Sequence, residues 1–273
     1  MAAPDRYAVI GHPVSHSRSP FIHAKFAEAT QQLLEYGRID ASPVDFIEIV
    51  RTFFADGGRG LNVTLPHKEA AAALVDELTE RATLAGAVNT IIRLSDGRLR
   101  GDNTDGIGLV TDLEHNLGVH LAGQRILVLG AGGATRGVLG PLLAQGPASV
   151  LVVNRTAQRA QALATQFAQR GVIAGGGYDA LIHVGAFDLI INGTSAGLSG
   201  ETVPLPATCV GSNTVGYDMM YLPTGTPFTK QLTQMGAQAA WLGYGMLVEQ
   251  AAEAFYLWRG LRPPTRTVLA LLQ

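Results

Sequence analysis

The stretch RILVLGAGGATRG, residues 125–137, gives the strongest indication of the fold of this chain. A run of apolar residues typical of a buried strand leads straight into glycines, and a helix-forming segment follows. In such a turn, backbone N–H groups and the first turn of the helix can receive a pyrophosphate. The match to the G-x-G-x-x-G pattern is partial, because Gly130 and Gly132 hold its first two positions but Thr135 holds the third. The stretch predicts a dinucleotide-binding βα unit.

The end of the next predicted strand indicates which dinucleotide this unit takes. The sequence there is VVNRTAQR, residues 152–159. An NAD site usually has a carboxylate at this point, which binds the ribose 2′-hydroxyl. Here Asn154 stands in that place, and Arg155 with Arg159 can pair with a 2′-phosphate. The pattern therefore favours NADP over NAD.

Strand-like and helix-like segments alternate on both sides of residue 105, which predicts an α/β fold with mostly parallel sheets covered by helices. In the N-terminal part, the predicted strands are residues 7–14, 36–42 and 60–67, and the predicted helices are residues 20–34, 43–57 and 68–86. Residues 89–103 place two apolar runs around an Asp-Gly turn, which indicates a hairpin.

The second series begins at residue 125, where strand-like runs occur in residues 125–146, 149–167, 187–198 and 213–221. The segment AGGGYD, residues 174–179, is typical of a loop, and residues 245–260 have the pattern of an amphipathic helix.

Composition excludes several classes of protein. A net charge of −2 without a basic cluster gives no footprint for nucleic acid or an anionic membrane, so we expect small-molecule partners. A single cysteine, Cys209, excludes an intramolecular disulfide and fits a reducing compartment, so we expect a cytoplasmic protein. The N-terminal sequence has no export signal, and no apolar run is long enough for a membrane span. The seven histidines are scattered, and we expect no metal.

Lys68 is a candidate for proton chemistry. Only three of the 20 basic residues are lysines, and this one follows a short apolar strand and a proline. An amine can give up a proton near neutral pH when it is partly desolvated, whereas a guanidinium effectively cannot. A solvated lysine in the first turn of a helix remains the alternative.

Eight motifs, taken together, resemble the shikimate dehydrogenase family over nearly the whole chain. They are GHPVSHSRSP (11–20), NVTLPHK (62–68), GAVNT (86–90), GDNTDG (101–106), GAGGATRG (130–137), NRT (154–156), YDMMY (217–221) and GMLVEQA (245–251). The resemblance implies reversible reduction of 3-dehydroshikimate to shikimate with NADPH, a step of aromatic biosynthesis towards chorismate.

The resemblance also implies site residues. Lys68 and Asp105 would form a catalytic pair at the substrate, where an ammonium can stabilise or protonate the oxygen of a carbonyl that accepts a hydride. Whether Lys68 transfers the proton or only polarises the carbonyl stays open. Ser15 and Ser17 would bind the carboxylate. The ring hydroxyls would be bound by Thr64, Asn89 and Gln250, and Tyr221 would close the site from the other domain.

For the cofactor, the resemblance implies an adenosine end formed by Gly130, Ala131, Gly132, Gly133, Ala134, Asn154, Arg155, Thr156 and Arg159. Met219 and Gly243 would lie near the nicotinamide, and Glu80 would touch the cofactor from the first domain. Residues 1–104 and 243–273 would form the substrate-binding domain, with C-terminal helices that pack back on it. Residues 105–242 would form the Rossmann-type NADP-binding domain.

Three alternatives remain open at this point. The chain could be a quinate/shikimate dehydrogenase that uses NAD, although Asn154 and Arg155 argue against this. It could be a non-catalytic protein that binds shikimate and regulates a partner, although it keeps both Lys68 and Asp105. It could also be another two-domain oxidoreductase acting on a different polyhydroxy acid. A monomer and a homodimer are equally compatible with the sequence.

Overall fold

The computed structural model describes residues 3–194, 196 and 200–272. The chain forms two compact units. The first unit contains the residues up to Gly108 together with Leu247–Leu272, and the second unit is Leu109–Met246. The described residues form two six-stranded sheets, one in each unit, so the α/β fold predicted from the sequence is confirmed.

The strands are β1 (Asp5–Gly11), β2 (Leu34–Asp40), β3 (Gly60–Val63), β4 (Glu77–Leu78), β5 (Thr90–Arg93), β6 (Leu99–Asp102), β7 (Arg125–Leu129), β8 (Ser149–Val153), β9 (Ile173–Gly176), β10 (Phe187–Asn192), β11 (Val210–Asp218) and β12 (Ala239–Leu242). The helices are α1 (Ser19–Thr30), α2 (Phe46–Ala55), α3 (Lys68–Leu74), α4 (Glu80–Ala85), α5 (Asp105–Thr111), α6 (Gly133–Leu143), α7 (Ala157–Phe167), α8 (Pro227–Gln234), α9 (Tyr244–Arg259) and α10 (Arg266–Ala270). None of these helices has both the length and the apolar character needed to cross a membrane.

The sheet of the first unit has the strand order β2-β1-β3-β5-β6-β4. Strand β1 pairs in parallel with β2 and β3, whereas β5 runs antiparallel to β3. Helix α2 buries Phe46, Val50 and Phe54, four residues apart, in the same core cluster as Ile10 of β1 and Leu61 of β3. Since the carboxyl ends of β1 and β3 meet at one edge, the segments that follow these two strands are brought together there.

The predicted hairpin is confirmed, because β5 and β6 are antiparallel neighbours with Thr90 opposite Asp102. The turn between them contains Gly97 with φ of 90°, a left-handed conformation that glycine adopts without strain. Beyond the hairpin's last pair, the Asn89 N–H donates to the Asp102 carbonyl over 3.0 Å. The hairpin therefore places the residue before β5 beside the segment after β6.

The single helix predicted for residues 68–86 is wrong, because the structure has α3, the short strand β4 and α4 in this stretch. Val75 ends α3 in an extended conformation with ψ of 155°. Strand β4 then pairs with β6, and the Asp76 carboxylate accepts a hydrogen bond of 2.7 Å from the Leu99 N–H. Thr79 caps α4 with its side chain, which accepts from the Ala82 N–H. Pairing at the edge of the sheet outweighs the helical pattern of the alanines.

The sheet of the second unit has the order β12-β11-β10-β7-β8-β9, and all five neighbouring pairs are parallel. This is the strand order of doubly wound dinucleotide-binding folds, in which the direction of winding changes between β7 and β10. The glycines that follow β7 lie at this point. In the predicted segment 187–198, β10 ends at Asn192, and residues 195, 197 and 198 lie outside the described residues.

The loop predicted for residues 174–179 is partly wrong, because its first three residues belong to the edge strand β9. The glycines misled the prediction. A Cβ atom on Gly175 would lie 2.2 Å from the Ala160 carbonyl oxygen of α7, so glycine is what allows the strand to lie against the helix. Strand β12, with the sequence AAWL, was not predicted.

Candidate active site

In the first unit, the predicted substrate-binding residues follow the ends of several strands. The loop after β1 carries Ser15 and Ser17, Thr64 comes directly after β3, and Asn89 directly precedes β5. Helix α3 begins at Lys68 and helix α5 begins at Asp105. Every residue predicted to bind the substrate except Tyr221 belongs to this unit.

Lys68 and Asp105 form a partly buried ion pair. The Lys68 ammonium donates to Asp105 Oδ2 over 2.5 Å, and the two side chains are 25% and 11% exposed. The Val88 N–H donates to the Lys68 carbonyl over 2.9 Å, which ties the start of α3 to the segment that leads into β5. The amine is thus held in place and is still accessible from solvent.

Asn89 links this pair to three further polar residues. Its amide nitrogen donates to Asp105 Oδ1 over 2.8 Å and to Thr104 Oγ1 over 2.9 Å. Its amide oxygen accepts from the Thr104 N–H and from the Thr90 hydroxyl, each over 2.9 Å. The oxygen of Gln250, from α9, lies 3.4 Å from the Asn89 amide nitrogen. We call Lys68, Asn89, Asp105 and Gln250 the polar cluster.

Behind the polar cluster lies a buried amide that the sequence analysis did not single out. Asn62, in the middle of β3, donates to the Asn89 carbonyl and to the Thr90 hydroxyl, each over 3.2 Å. Its oxygen accepts from the Tyr36 hydroxyl over 2.6 Å, and burial raises the pKa of that phenol well above its ordinary value. A buried asparagine inside an apolar strand of the NVTLPHK motif was the available signal.

The serine-bearing loop after β1 is held by the edge strand β2. The Arg38 guanidinium donates twice to the Ser17 carbonyl, over 2.7 and 3.2 Å. The Asp40 carboxylate accepts from the Val14 N–H over 3.2 Å and contacts His12 Nδ1 at 2.6 Å, and His12 lowers the pKa of Asp40. Neither Arg38 nor Asp40 was predicted from the sequence, because no motif contains them.

Within this loop the two serines differ. Ser15 is exposed, whereas the Ser17 hydroxyl donates to Ser19 Oγ over 3.2 Å at the start of α1. Thr64 packs close to the loop, since a Cβ atom on Gly11 would lie 2.4 Å from its methyl group. Glycine at position 11 is therefore required for the approach of β1 to the segment after β3.

In the second unit, the conformation of the glycine turn after β7 is set by close contacts between backbone segments. Gly130 has φ of 100°, and its N–H donates to the Val153 carbonyl over 2.7 Å. A Cβ atom there would lie 3.1 Å from the backbone of Gly193, so position 130 requires glycine. By contrast, a Cβ atom on Gly132 or Gly133 would meet no described atom within 4 Å. Gly132 is the N-cap of α6 and has no side chain to cap it, so the turn fits an incoming pyrophosphate.

The other residues predicted for the adenosine end, Asn154, Arg155, Thr156 and Arg159, follow β8. Asn154 turns its side chain back to donate to the Thr156 carbonyl over 3.0 Å, next to the start of α7. The side chains of Arg155 and Arg159 are exposed, and neither forms an ion pair within the described part of the chain. Two guanidinium groups are therefore available to an anion at the end of β8, the strand that pairs with β7 and so lies next to the glycine turn.

Met219 and Gly243, predicted for the nicotinamide end, are neighbours. The Met219 N–H donates to the Asn192 carbonyl over 3.0 Å, and a Cβ atom on Gly243 would lie 2.5 Å from the Met219 carbonyl oxygen. Tyr221 packs its ring at 5.2 Å from that of Tyr244. Glu80 is the exposed first residue of α4 in the first unit. Its predicted contact with the cofactor stays a prediction.

The described residues do not form a cluster of metal ligands. Among the described residues, no three His, Cys, Asp or Glu side chains come close enough to hold a metal ion together. The chemistry that the first unit offers is that of a positioned amine, a carboxylate and two amides. The second unit offers open backbone N–H groups and two free guanidinium groups.

Family models match three parts of the chain. Residues 9–91 match a model described as the shikimate dehydrogenase substrate binding domain, and residues 112–199 match one described as shikimate / quinate 5-dehydrogenase. Residues 243–273 match the shikimate 5′-dehydrogenase C-terminal domain. The three models together cover most of the sequence.

Relatives agree over the whole length. The chain is 55% identical over 269 residues to the shikimate dehydrogenase (NADP(+)) of Aeromonas salmonicida, which covers 98% of this chain and 97% of that one. The crystal structure of an enzyme from Pseudomonas putida matches with a TM-score of 0.92, 45% identity and 98% of each chain covered. That of shikimate 5-dehydrogenase from Thermus thermophilus in complex with NADP(H) and shikimate matches with a TM-score of 0.86, 37% identity and 97% of each chain covered. The chain belongs to the shikimate dehydrogenase family.

Proposed function

We propose that this chain catalyses the reversible NADPH-dependent reduction of 3-dehydroshikimate to shikimate. The observation that carries the proposal is the polar cluster, in which an amine, a carboxylate and two amides converge within one unit. A cyclic polyhydroxy acid needs several convergent polar partners, and this set provides donors and acceptors without a metal. The function also matches that of the named relatives.

When bound to the second unit, NADPH would supply the hydride for the carbonyl carbon. In this proposal the Lys68 ammonium donates a proton to the carbonyl oxygen, and the amine takes the proton back in the reverse direction. The Asp105 carboxylate holds the amine through its 2.5 Å contact and can accept a hydrogen bond from a neighbouring hydroxyl. Asn89 fixes the other carboxylate oxygen, so Asp105 cannot rotate away without losing two partners.

For the substrate we propose the roles implied by the family resemblance. Ser15 and Ser17 bind the carboxylate, and Thr64, Asn89 and Gln250 bind the ring hydroxyls. The loop geometry supports the first role, because Arg38 and Asp40 fix the backbone on both sides of Ser15. Tyr221, from the second unit, closes the site. The first unit is thus the substrate-binding unit.

For the cofactor we propose that the second unit binds NADP. The backbone of Gly130, Ala131, Gly132, Gly133 and Ala134 receives the pyrophosphate, and Asn154, Arg155, Thr156 and Arg159 form the adenosine end. The absence of a carboxylate after β8 supports NADP over NAD. Met219 and Gly243 lie near the nicotinamide, and Glu80 touches the cofactor. We further propose a cytoplasmic enzyme that acts as a monomer or homodimer.

The decisive experiment compares two substrates and two cofactors at steady state. Shikimate with NADP⁺ should give the highest kcat/KM of the four combinations, followed at a distance by either single change. Faster turnover of quinate with NAD⁺ would favour the alternative of a quinate/shikimate dehydrogenase. Shikimate binding without any turnover would indicate the regulatory protein instead. Turnover of another polyhydroxy acid alone would show that the substrate is wrong.

A further inference from the structure

We propose that Arg81 is a positioning residue, whose guanidinium fixes two groups of the polar cluster at once, the carboxylate of Asp105 and the amide of Gln250. It acts through the buried carboxylates of Asp102 and Glu253. The inference rests on the proposed function, since it concerns the binding and turnover of the same substrate.

The first contact of Arg81 fixes the segment that carries Asp105. Its Nε donates to Asp102 Oδ1 over 2.6 Å and its Nη2 donates to Oδ2 over 2.9 Å, a two-point contact that sets the plane of the carboxylate. Asp102 is 1% exposed and also accepts from the Thr79 hydroxyl and from the Asn103 N–H. The Asn103 side chain in turn accepts from the Asp105 N–H over 3.2 Å. Asn103, which contacts both residues, therefore links the orientation of the Asp102 carboxylate to the position of Asp105.

The second contact fixes the helix that carries Gln250. Nη2 of Arg81 also donates to Glu253 Oε1 over 3.0 Å, and Glu253 is 7% exposed. Gln250 and Glu253 are three residues apart in α9, so their side chains leave the same side of the helix. The Gln250 oxygen lies 3.4 Å from Asn89 Nδ2 and 3.5 Å from Thr104 Oγ1. A change in the rotation of α9 would move Gln250 away from both.

The charges of this arrangement argue for positioning rather than for stability alone. Arg262, whose side chain is 47% exposed, also donates to Glu253, so two cations and two buried carboxylates form one connected group. Taking charges out of water costs about as much as their attraction returns, and apolar residues would often pack as well. What an ion group adds is directional contact. A lysine at position 81 would keep the charge but could not bind both oxygens of Asp102 and reach Glu253 together.

The test uses Glu253→Gln, which keeps the shape of the side chain and removes only its charge. We expect kcat/KM for shikimate to fall about fivefold to twentyfold, chiefly through KM, while the KM for NADP⁺ changes less than twofold. In a Gln250→Ala background, the same substitution should lower kcat/KM by less than twofold further, because its effect passes through Gln250. An equal factor in both backgrounds would mean that Glu253 serves only the fold, and would overturn the proposal.

Arg81→Lys provides the companion measurement. It should lower kcat for shikimate at least tenfold, with most of that loss absent in an Asp105→Asn background. Should this variant not fold, Glu253→Gln alone still decides. The matched control is Glu77→Gln, whose carboxylate pairs with Arg100 of the neighbouring strand β6 and with Arg98 just before that strand. It should leave both kinetic constants within twofold of the parent.

Failure of the proposed function would look different. A parent protein that does not turn over shikimate with either cofactor contradicts the function, whatever the variants do. In that case a crystal structure of the Glu253→Gln protein still tests the positioning. Gln250 that stays within 3.5 Å of Asn89 would overturn it, and Gln250 turned away from Asn89 would support it.

Discussion

The polar cluster of the first unit and the glycine turn of the second unit, the proposed sites for substrate and NADP, differ in how far their polar groups are already paired. In the cluster, Lys68, Asp105 and Asn89 are already bonded to one another over 2.5 to 2.8 Å. In the turn, the backbone of Gly132 is open, and Arg155 is exposed without a described ion-pair partner. In the proposed function, the first site is therefore ordered before its ligand binds, whereas the donors of the second site gain their partners from the ligand.

This difference predicts which kinetic constant each region controls. Lys68, Asp105 and Asn89, which their short contacts already hold, lose little freedom when the substrate binds, so they are suited to stabilise the transition state and should affect kcat. Open donors gain their partners only on binding, and should mainly affect the KM of the cofactor. Substitutions in the two regions therefore test whether the two proposed sites differ in this way.

The largest effect is expected at Lys68. Lys68→Ala should reduce kcat at least roughly a hundredfold, the usual scale for a positioned acid or electrostatic group, while the KM for shikimate changes little. Steady-state rates with shikimate and NADP⁺ measure both. Asp105→Asn should cause a loss of similar size, and the double variant should lose far less than the product of the two.

Lys68→Arg separates two roles of the amine. A guanidinium keeps the positive charge but does not readily give up a proton. Substantial activity would indicate that charge stabilisation is sufficient, and near-complete loss would indicate proton transfer or strict geometry. Turnover like that of the parent in Lys68→Ala would falsify the catalytic role of the cluster and remove one side of the comparison.

A smaller effect is expected at Arg155. Arg155→Ala should raise the KM for NADP⁺ by about tenfold to a hundredfold, since a charge-assisted hydrogen bond is worth about 1.5–3 kcal/mol. The KM for NAD⁺, which has no 2′-phosphate, should stay nearly unchanged, and kcat should fall much less than KM rises. Arg51→Ala, which removes an exposed cation from α2, is the control. If the unmodified protein uses NADP⁺ and NAD⁺ equally well, the role of Arg155 is refuted.

Two glycines of the same turn offer a matched pair. Gly130→Ala should destabilise the protein by about 2 kcal/mol in urea unfolding, because φ of 100° is strained for alanine and a Cβ atom would crowd Gly193. Gly132→Ala should cost no more than about 1 kcal/mol, the usual penalty for alanine at an N-cap, since its backbone is ordinary and a Cβ atom points into open space.

The binding of NADP⁺ should reverse this order. The space above Gly132 is where a pyrophosphate would approach, so Gly132→Ala should weaken NADP⁺ binding in calorimetric titration while the fold stays intact. If Gly132→Ala binds NADP⁺ like the parent protein, the open turn does not serve as the pyrophosphate site.

The sequence predicted local chemistry better than it predicted the contacts that hold it. Lys68 and Asp105 were paired through a family resemblance, although they are 37 residues apart and no spacing rule links them. Arg81 and Glu253 are 172 residues apart and neither stands out in its segment, so their contact became apparent only from the fold. Long-range ion pairs depend on the topology of the sheet and on how α9 packs.

Two errors in the elements have local physical causes. The alanines of residues 68–86 have strong helix propensity. Two residues between them, Glu77 and Leu78, nevertheless pair with the edge of the sheet as β4. The glycines after residue 173 have the composition of a loop, yet they form β9 because only glycine lets that strand approach α7. In both cases tertiary packing outweighed local preference.

The stability of the first unit should depend on pH through His23. His23 is buried in α1 and stacks on Tyr36 with ring centres 4.2 Å apart. Tyr36 donates to Asn62, the amide behind the polar cluster. Burial lowers the pKa of His23 to about 3, and Asn62 opposes this shift only partly. The core behind the cluster thus contains a group that resists protonation.

The sign of the effect on stability follows from proton uptake. With an ordinary pKa of 6.5, His23 takes up a proton in the unfolded chain as pH falls below that value, while the folded protein keeps it neutral until about pH 3. The unfolded state binds more protons in this window, so stability is lost as pH falls. Protonation of His23 in the unfolded chain should lower the free energy of unfolding by about 1.5 kcal/mol between pH 6.5 and 5.

Replacing His23 with phenylalanine should remove this loss, because the aromatic contact remains and the titrating nitrogen does not. Urea unfolding of both proteins between pH 7.5 and 5 measures it as a difference in slope, which cancels the contribution of the carboxylates common to both. His120→Gln, at an exposed position, should keep the pH dependence of the parent. Parallel stability curves for His23→Phe and the parent would show that the buried histidine is not the acid-sensitive group of the first unit.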